Sequence, residues 1–171
     1  MASLADVYHA LSEMRAEGVL QNYAIGGGMA ALFYAETTRT YDIDVFALIH
    51  QQRLLVDLSG IYDWARRRGY EIAAEHILIH SVPVQFLAAK AGLETEAIER
   101  ARILDYDGAP VPVMAPEYLA VIYVLAGGGK RRDRTRSLFE AGAVDGSTLT
   151  AILQRHGLAA LWKQKWGGDN E

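Results

Sequence analysis

Residues 23–29 read YAIGGGM and residues 39–45 read RTYDIDV, and the organisation of the chain follows from these two segments. The apolar run before the glycines predicts a strand that enters a tight turn. Good helix formers follow at residues 29–34 and predict a helix. The β-branched and apolar run at residues 42–49 predicts a second strand. Parallel strands need a crossover of this length, so we expect residues 26–41 to join a parallel pair.

Asp42 and Asp44 are the first candidates for chemistry. Side chains alternate across a strand, so two residues with this spacing share a face. Adjacent carboxylates repel each other, and a divalent cation removes that cost. Hard oxygen ligands of this kind suit Mg²⁺ or Mn²⁺. An isolated pair with this spacing is also typical of a solvated strand end, and both interpretations stand at this point.

The glycine triplet at residues 26–28 lies between the predicted strand and the predicted helix. Glycine lets the backbone approach a phosphate closely, and free N–H groups at a helix start favour anions. The spacing does not match the longer dinucleotide or P-loop fingerprints. A flexible turn is therefore the alternative to a phosphate-binding turn.

Taken together, the two segments resemble the signature of the DNA polymerase beta nucleotidyltransferase superfamily. The likeness is greatest to minimal nucleotidyltransferases and to abortive-infection nucleotidyltransferase toxins, and it covers roughly residues 20–140. Residues 82–87 stand where that family has the strand with its third carboxylate. Residues 113–119 resemble the entry to the family's C-terminal helices, and residues 130–133 its basic motif followed by Asp.

The resemblance implies a metal-dependent enzyme that uses an NTP and Mg²⁺ or Mn²⁺. In that family the paired aspartates, here Asp42 and Asp44, are catalytic and bind the metal. The resemblance adds Gln85 as the third metal-binding position. The residues that it implies for nucleotide binding are Gly26, Gly27, Gly28, Arg39, Thr40, Lys130 and Arg132.

Two positions depart from the family pattern. Gln85 stands where a third carboxylate is usual, and an amide can ligate through its carbonyl but cannot serve as a general base. Tyr123 stands where a lysine is common, so Lys130 is the candidate for the missing cation.

The whole chain predicts an α+β (α/β) fold, a small mixed β-sheet with a helical C-terminal part. We expect a nucleotidyltransferase core at residues 1–115 and a helical extension packed on it at residues 116–171. Periodicity, capping signals and apolar runs give the remaining elements. The predicted helices are 4–17, 51–68, one starting at Pro116, 134–140, and 147–164 with Ser147 as its cap. The further predicted strands are 70–72, 77–79, 82–87 and 111–114.

The histidines and tryptophans give weaker signals. His76 and His80 share a face of a predicted strand, and a metal role for them is disfavoured because the spacing suits a helix. The tryptophans stand at helical positions, which favours packing over base stacking. Apolar residues at 158–162 would cover the sheet or form a homodimer contact.

Composition limits the class of protein. The 171 residues contain no cysteine, which excludes disulfides and thiolate metal sites and suits the cytoplasm. The net charge of −4 confines any nucleic-acid contact to a local basic run. We expect no signal peptide and no membrane span, because no apolar run reaches about 18 residues.

Three functions follow from these patterns. The first is transfer of a nucleotidyl group from an NTP to a hydroxyl of an RNA or protein acceptor, in a toxin–antitoxin setting by resemblance. The second is a catalytically weakened module of the same fold that binds nucleotide or a partner protein. The third is a structural or dimerisation domain, which leaves the clustered glycines and aspartates uninterpreted.

Overall fold

The computed structural model describes residues 2–37, 39–50 and 56–167. Its strands are β1 (Asn22–Gly26), β2 (Ile43–Leu48), β3 (Glu71–Ala73), β4 (His76–Ile79), β5 (Val82–Ala88), β6 (Arg102–Tyr106) and β7 (Ala109–Val113). Its helices are α1 (Leu4–Ala16), α2 (Gly27–Leu32), α3 (Ser59–Arg67), α4 (Leu93–Glu99), α5 (Pro116–Ala126), α6 (Gly129–Glu140), α7 (Gly146–Arg155) and α8 (Ala159–Trp166).

The strands form one mixed sheet in the order β3-β4-β5-β2-β1-β7-β6. The central strand β2 is antiparallel to β1 and parallel to β5. β1 is parallel to β7, and the pairs toward both edges are antiparallel. With helices filling the rest of the C-terminal third, this confirms the predicted mixed sheet with a helical C-terminal part.

The predicted parallel pairing of the first two strands is wrong. β1 ends at Gly26, β2 begins at Ile43, and Gly26 pairs with Asp44. Both strand ends therefore lie at the same edge of the sheet. α2 has six residues, about 9 Å of helix. The segment between the strands closes a loop at one edge instead of running back along the sheet.

The single helix predicted at residues 147–164 is two helices. α7 ends at Arg155 and α8 begins at Ala159. Between them Gly157 adopts a φ of +65°, which interrupts the helical backbone. The cap of α7 is Asp145 rather than Ser147, because the Asp145 side chain accepts a 2.9 Å hydrogen bond from a backbone N–H in the first turn.

Other element bounds also differ from the predictions. The helix predicted at residues 134–140 begins earlier, at Gly129. The helix predicted at 51–68 begins at Ser59 in the described part, and residues 51–55 lie outside it. α4 and β6 were not predicted at all. No helix in the described ranges is long and apolar enough to cross a membrane.

α5 connects the sheet to the C-terminal helices. It contacts α2 and α4, which rest on β1 and β2, and it also contacts α6, α7 and α8. Nearly all of it is buried, including Glu117, which is 1% exposed. The Glu117 carboxylate accepts a 2.7 Å hydrogen bond from the backbone N–H of Asp145, which satisfies this buried charge in part. The position of α6 beside the sheet therefore depends on α5.

A polar cluster around Glu96 joins α4, α5 and α7. Arg155 donates two hydrogen bonds to the Glu96 carboxylate, at 2.8 and 2.9 Å. The Nε2 of His156 lies 2.7 Å from the same carboxylate, and the Tyr118 hydroxyl donates to it at 2.9 Å. The Arg155 hydrogen bonds first, then those of His156 and Tyr118, lower the pKa of Glu96 to about 2.

We expect the change Glu96→Gln to reduce the free energy of unfolding by about 1–3 kcal/mol near neutral pH, as for loss of hydrogen bonds to a charged group. Because the folded pKa is depressed below its ordinary 4.5, this stabilisation is present above that value and is lost as pH falls toward 2. Urea unfolding at several pH values measures it.

The matched control is Glu99→Gln, an exposed glutamate on the same helix. If Glu96→Gln and Glu99→Gln lower stability equally at neutral pH, the cluster does not hold the helices together.

Candidate functional site

The cross-strand register brings four positions into one row. On β4, β5, β2 and β1 in turn, His76 pairs with Gln85, Gln85 with Asp44, and Asp44 with Gly26. Register partners project from the same face of a sheet. The prediction that Gln85 lies beside Asp44 on a neighbouring strand is confirmed.

Asp42 lies just before β2, two residues from Asp44. The Thr40 hydroxyl donates a 2.7 Å hydrogen bond to its Oδ1, and the Nε2 of His76 lies 3.8 Å from its Oδ2. His76 belongs to the row that contains Asp44, so the two carboxylates lie on one side of the sheet.

The electrostatic state of Asp44 follows from this placement. Burial raises the pKa of Asp44, and the charge of Asp42 raises it further. The positive charges of Arg134, His76 and Arg131 lower it, with a smaller combined effect. Ionisation of Asp44 is therefore unfavourable in the protein without a bound cation. A cation bound near the carboxylate would offset this cost.

The turn between β1 and α2 fits against Asp44 because it has no side chains. Gly27 has a φ of +58°, and a Cβ there would lie 1.9 Å from Oδ2 of Asp44. A Cβ on Gly26 would lie 2.5 Å from the ring of Phe46. The predicted passage from strand through the glycine turn into a helix is confirmed, and the turn lies against Asp44.

Tyr123, at the position where the family often has a lysine, supports the same turn. Its hydroxyl donates a hydrogen bond to the carbonyl oxygen of Gly27. Burial raises the pKa of Tyr123, so the hydroxyl stays protonated and remains a donor. Here the position serves the backbone of the turn and supplies no positive charge.

Arg134 on α6 supplies a cation. A Cβ on Gly28 would lie 2.5 Å from Nη2 of Arg134, so the guanidinium rests on the glycine. Its Nε is buried and has no hydrogen-bond partner among the described residues. Arg131, one turn earlier, donates a 3.1 Å hydrogen bond to the carbonyl of Gly127 and acts on Asp44 through its charge. The Arg134 side chain therefore lies against the glycine turn.

The other basic residues predicted to bind the nucleotide are Arg132, Lys130 and Arg39. Arg132 donates to the backbone carbonyls of Lys165 and Trp166, at 2.9 and 3.4 Å, and covers the Trp166 ring. Its guanidinium is thus held against α8. Lys130 and Arg39 are exposed. Nucleotide binding by these three residues stays a prediction. The positive charges of two other α6 residues, Arg131 and Arg134, act on Asp44.

The residues of the site suit a hard divalent cation. Asp42 and Asp44 offer carboxylate oxygens, and Gln85 offers an amide oxygen beside them. Because Gly27 has no side chain, the Asp44 carboxylate can lie directly against the turn. Within the described ranges, no group of three or more His, Cys, Asp or Glu side chains is arranged to hold a metal ion. Any cation here must therefore rely on the two carboxylates and neutral oxygens.

Cavities also occur away from the aspartates. One of about 520 Å³ opens between the start of α4, the end of α5 and the α7–α8 connection. It is lined by Lys90, Glu94, Ile122, Leu125, His156 and Leu158, among others. Neither aspartate lines it.

Sequence reasoning missed three contributors. His76 reaches Asp42 only through the register of two strand pairs, which no local pattern reveals. Arg131 and Arg134 are two of the five basic residues at positions 130–136, and their spacing of three residues places them on one side of a helix. That spacing was the available signal for them.

No family model matches the sequence, and no curated protein matches it. Solved structures do. An antigenic nucleotidyltransferase-like protein from Paracoccidioides brasiliensis matches with a TM-score of 0.61 and 18% identity, over 96% of this chain and 88% of that chain. The solution structure of the antibiotic-resistance factor ANT(2″)-Ia matches with a TM-score of 0.52 and 18% identity, over 94% and 96%.

The crystal structure of ANT(2″)-Ia in complex with adenylyl-2″-tobramycin matches with a TM-score of 0.56 and 16% identity, over 94% of this chain and 99% of that chain. At these identities the likeness is one of fold. The chain therefore has a nucleotidyltransferase-like fold over nearly its whole length, as the sequence predicts.

We expect Gly27→Ala to lower the free energy of unfolding by about 1–2 kcal/mol or more. A left-handed backbone costs a non-glycine residue about that much, and the new Cβ would also displace the Asp44 carboxylate. Urea unfolding measures the loss.

The control is Gly60→Ala in α3, where a Cβ meets nothing within 4 Å. That change should be neutral or stabilising by up to about 1 kcal/mol. Equal stability of Gly27→Ala and the unmodified protein would contradict the close contact between the turn and Asp44.

Proposed function

We propose that this protein is a nucleotidyltransferase, which transfers a nucleotidyl group from an NTP to a hydroxyl of an acceptor. The observation that carries the proposal is the meeting of three features at one place. The paired carboxylates, the glycine turn against Asp44, and the guanidinium of Arg134 over Gly28 lie together at one edge of the sheet. The likeness in fold to nucleotidyltransferase-like structures supports it.

Each residue of the site would have a distinct role in binding the substrate. Asp42 and Asp44, with the carbonyl of Gln85, would hold Mg²⁺ or Mn²⁺. That cation, when bound, offsets negative charge at the α-phosphate. The glycine turn lets the phosphates approach the backbone closely. Arg134, whose Nε lacks a partner among the described residues, would bind a phosphate oxygen, with Arg131 beside it.

In the reaction, the acceptor hydroxyl oxygen forms a bond to the α-phosphorus while the bond to pyrophosphate breaks. The aspartates would orient that hydroxyl, and one of the two carboxylates would accept its proton as the new bond forms. Gln85 cannot take its proton, since an amide is not a base near neutral pH. The positive charge of Arg131 and Arg134 would offset the charge left on pyrophosphate.

For the acceptor we propose RNA or a protein side chain, in a toxin–antitoxin setting. The crystal structure of ANT(2″)-Ia is a complex with adenylyl-2″-tobramycin, an adenylylated aminoglycoside. Aminoglycosides are cationic. Five of the twelve residues of α6, next to this site, are Lys or Arg. A basic rim favours an anionic acceptor such as RNA over a cationic one.

Gln85 supports a second candidate function. With an amide in place of a third carboxylate, the fold would bind a nucleotide and present it, or itself, to a partner protein without transfer. If the protein is such a module, it should bind an NTP but transfer no nucleotidyl group to an acceptor.

The deciding experiment is incubation with each labelled NTP, Mg²⁺ or Mn²⁺, and either total RNA, lysate protein or tobramycin. Label transfer supports the enzyme, and the acceptor that carries label identifies the class. NTP binding without transfer supports the module.

We expect Asp44→Asn to reduce transfer by at least about 100-fold, because it removes one of the two carboxylates that would face the cation and the attacking hydroxyl. The matched control is Asp63→Asn, an exposed aspartate paired with Arg66 on α3. Transfer that survives in Asp44→Asn at the level of the control would place the chemistry elsewhere.

We expect Arg134→Gln to weaken NTP binding by about 1.5–3 kcal/mol, the contribution usual for hydrogen bonds to charged groups. Isothermal titration calorimetry at fixed salt measures it. Arg136→Gln, an exposed arginine of the same helix that pairs with Asp133, should change the affinity little. Equal losses in both variants would point to the general charge of α6 rather than to a contact of Arg134.

A further inference from the structure

Two side chains lie near the Asp42 carboxylate, one at each oxygen. Thr40 donates a 2.7 Å hydrogen bond to Oδ1, and the Nε2 of His76 lies 3.8 Å from Oδ2. The first contact is local in sequence. The second comes from β4, which is separated from β2 in the sheet by β5.

The imidazole of His76 lies between two carboxylates. Its Nδ1 is 4.0 Å from Oε1 of Glu75, while its Nε2 faces Asp42. The His76 side chain is 25% exposed, so the ring is half-buried at the rim of the sheet. Each ring nitrogen thus faces an anion. Partners that contact a metal-binding carboxylate help to fix its orientation, and His76 is one such partner of Asp42.

We propose that His76 is a positioning residue. Together with Thr40 it holds the Asp42 carboxylate in the orientation in which Asp42 and Asp44 face one divalent cation. The inference rests on the proposed function, since it concerns the same pair of aspartates.

Direct ligation by His76 is a different role, and the geometry disfavours it. In the part of the chain that the structure describes, Asp42, Asp44 and His76 are not arranged to hold one metal ion together. The Nε2 of His76 already faces a carboxylate oxygen. The imidazole therefore acts through Asp42.

The magnitude follows from the role. Loss of a partner that orients a metal-binding side chain typically weakens metal binding about 10–100-fold. We expect His76→Leu and Thr40→Val each to raise the Kd for Mn²⁺ by about 10-fold, measured from the electron paramagnetic resonance signal of free Mn²⁺. His76→Gln keeps an N–H donor near the place of Nε2 and should stay close to the unmodified protein.

The control is His80→Leu. His80 is four residues away, exposed, and lies 3.2 Å from the Tyr70 hydroxyl, so its loss should leave Mn²⁺ affinity unchanged. In an Asp42→Asn background, His76→Leu should change the affinity no further, because its effect passes through that carboxylate. Thermal unfolding of each variant checks the fold. If His76→Leu does not fold, the comparison of Thr40→Val with the unmodified protein decides.

The outcomes separate the two proposals. Mn²⁺ binding by the unmodified protein with equal affinity in His76→Leu and Thr40→Val overturns the positioning role and leaves the proposed function standing. An equal loss in His76→Leu and His76→Gln, or a further loss in the Asp42→Asn background, also overturns it. No Mn²⁺ binding by the unmodified protein overturns both.

Discussion

The site depends on one close approach, that of the Asp44 carboxylate to the backbone of Gly27. No side chain fits there, because a Cβ on Gly27 would lie 1.9 Å from Oδ2. The approach also fixes the pairing of β1 with β2, since Gly26 and Asp44 are register partners. A shift of one residue would turn Asp44 into the core face and Ile43 out of it. The turn, the strand register and the direction of the carboxylate are thus one constraint.

The same constraint explains why the C-terminal helices belong to the site. A buried carboxylate beside a second one needs positive charge nearby. α5 brings Tyr123 to the carbonyl of Gly27, and α6 brings Arg134 onto Gly28. The second contact depends on the absence of a side chain at Gly28. The charge of Arg134 then acts on Asp44 across the turn. The glycine triplet therefore contacts side chains of α5 and α6, in addition to joining β1 to α2.

The sequence was sufficient for two local features of the site. The two-residue spacing of Asp42 and Asp44 fixes their common face, and a glycine triplet after an apolar run predicts a turn. The sequence was insufficient for two interactions that span the sheet. The antiparallel pairing of β1 and β2 depends on where the chain returns, and His76 reaches Asp42 through two register pairs. Among the basic residues of α6, packing against α8 decides that Arg132 faces away from the aspartates.

Gln85 and His76 are linked by their places in the sheet. Gln85 pairs with Asp44 on one side and with His76 on the other. A carboxylate at position 85 would stand beside Asp44, whose ionisation is already costly, and would compete with Asp42 for the imidazole. A neutral amide avoids both effects and leaves the imidazole facing Asp42. The amide at position 85 is therefore consistent with a site of two carboxylates, in which orientation of Asp42 takes the place of a third anion.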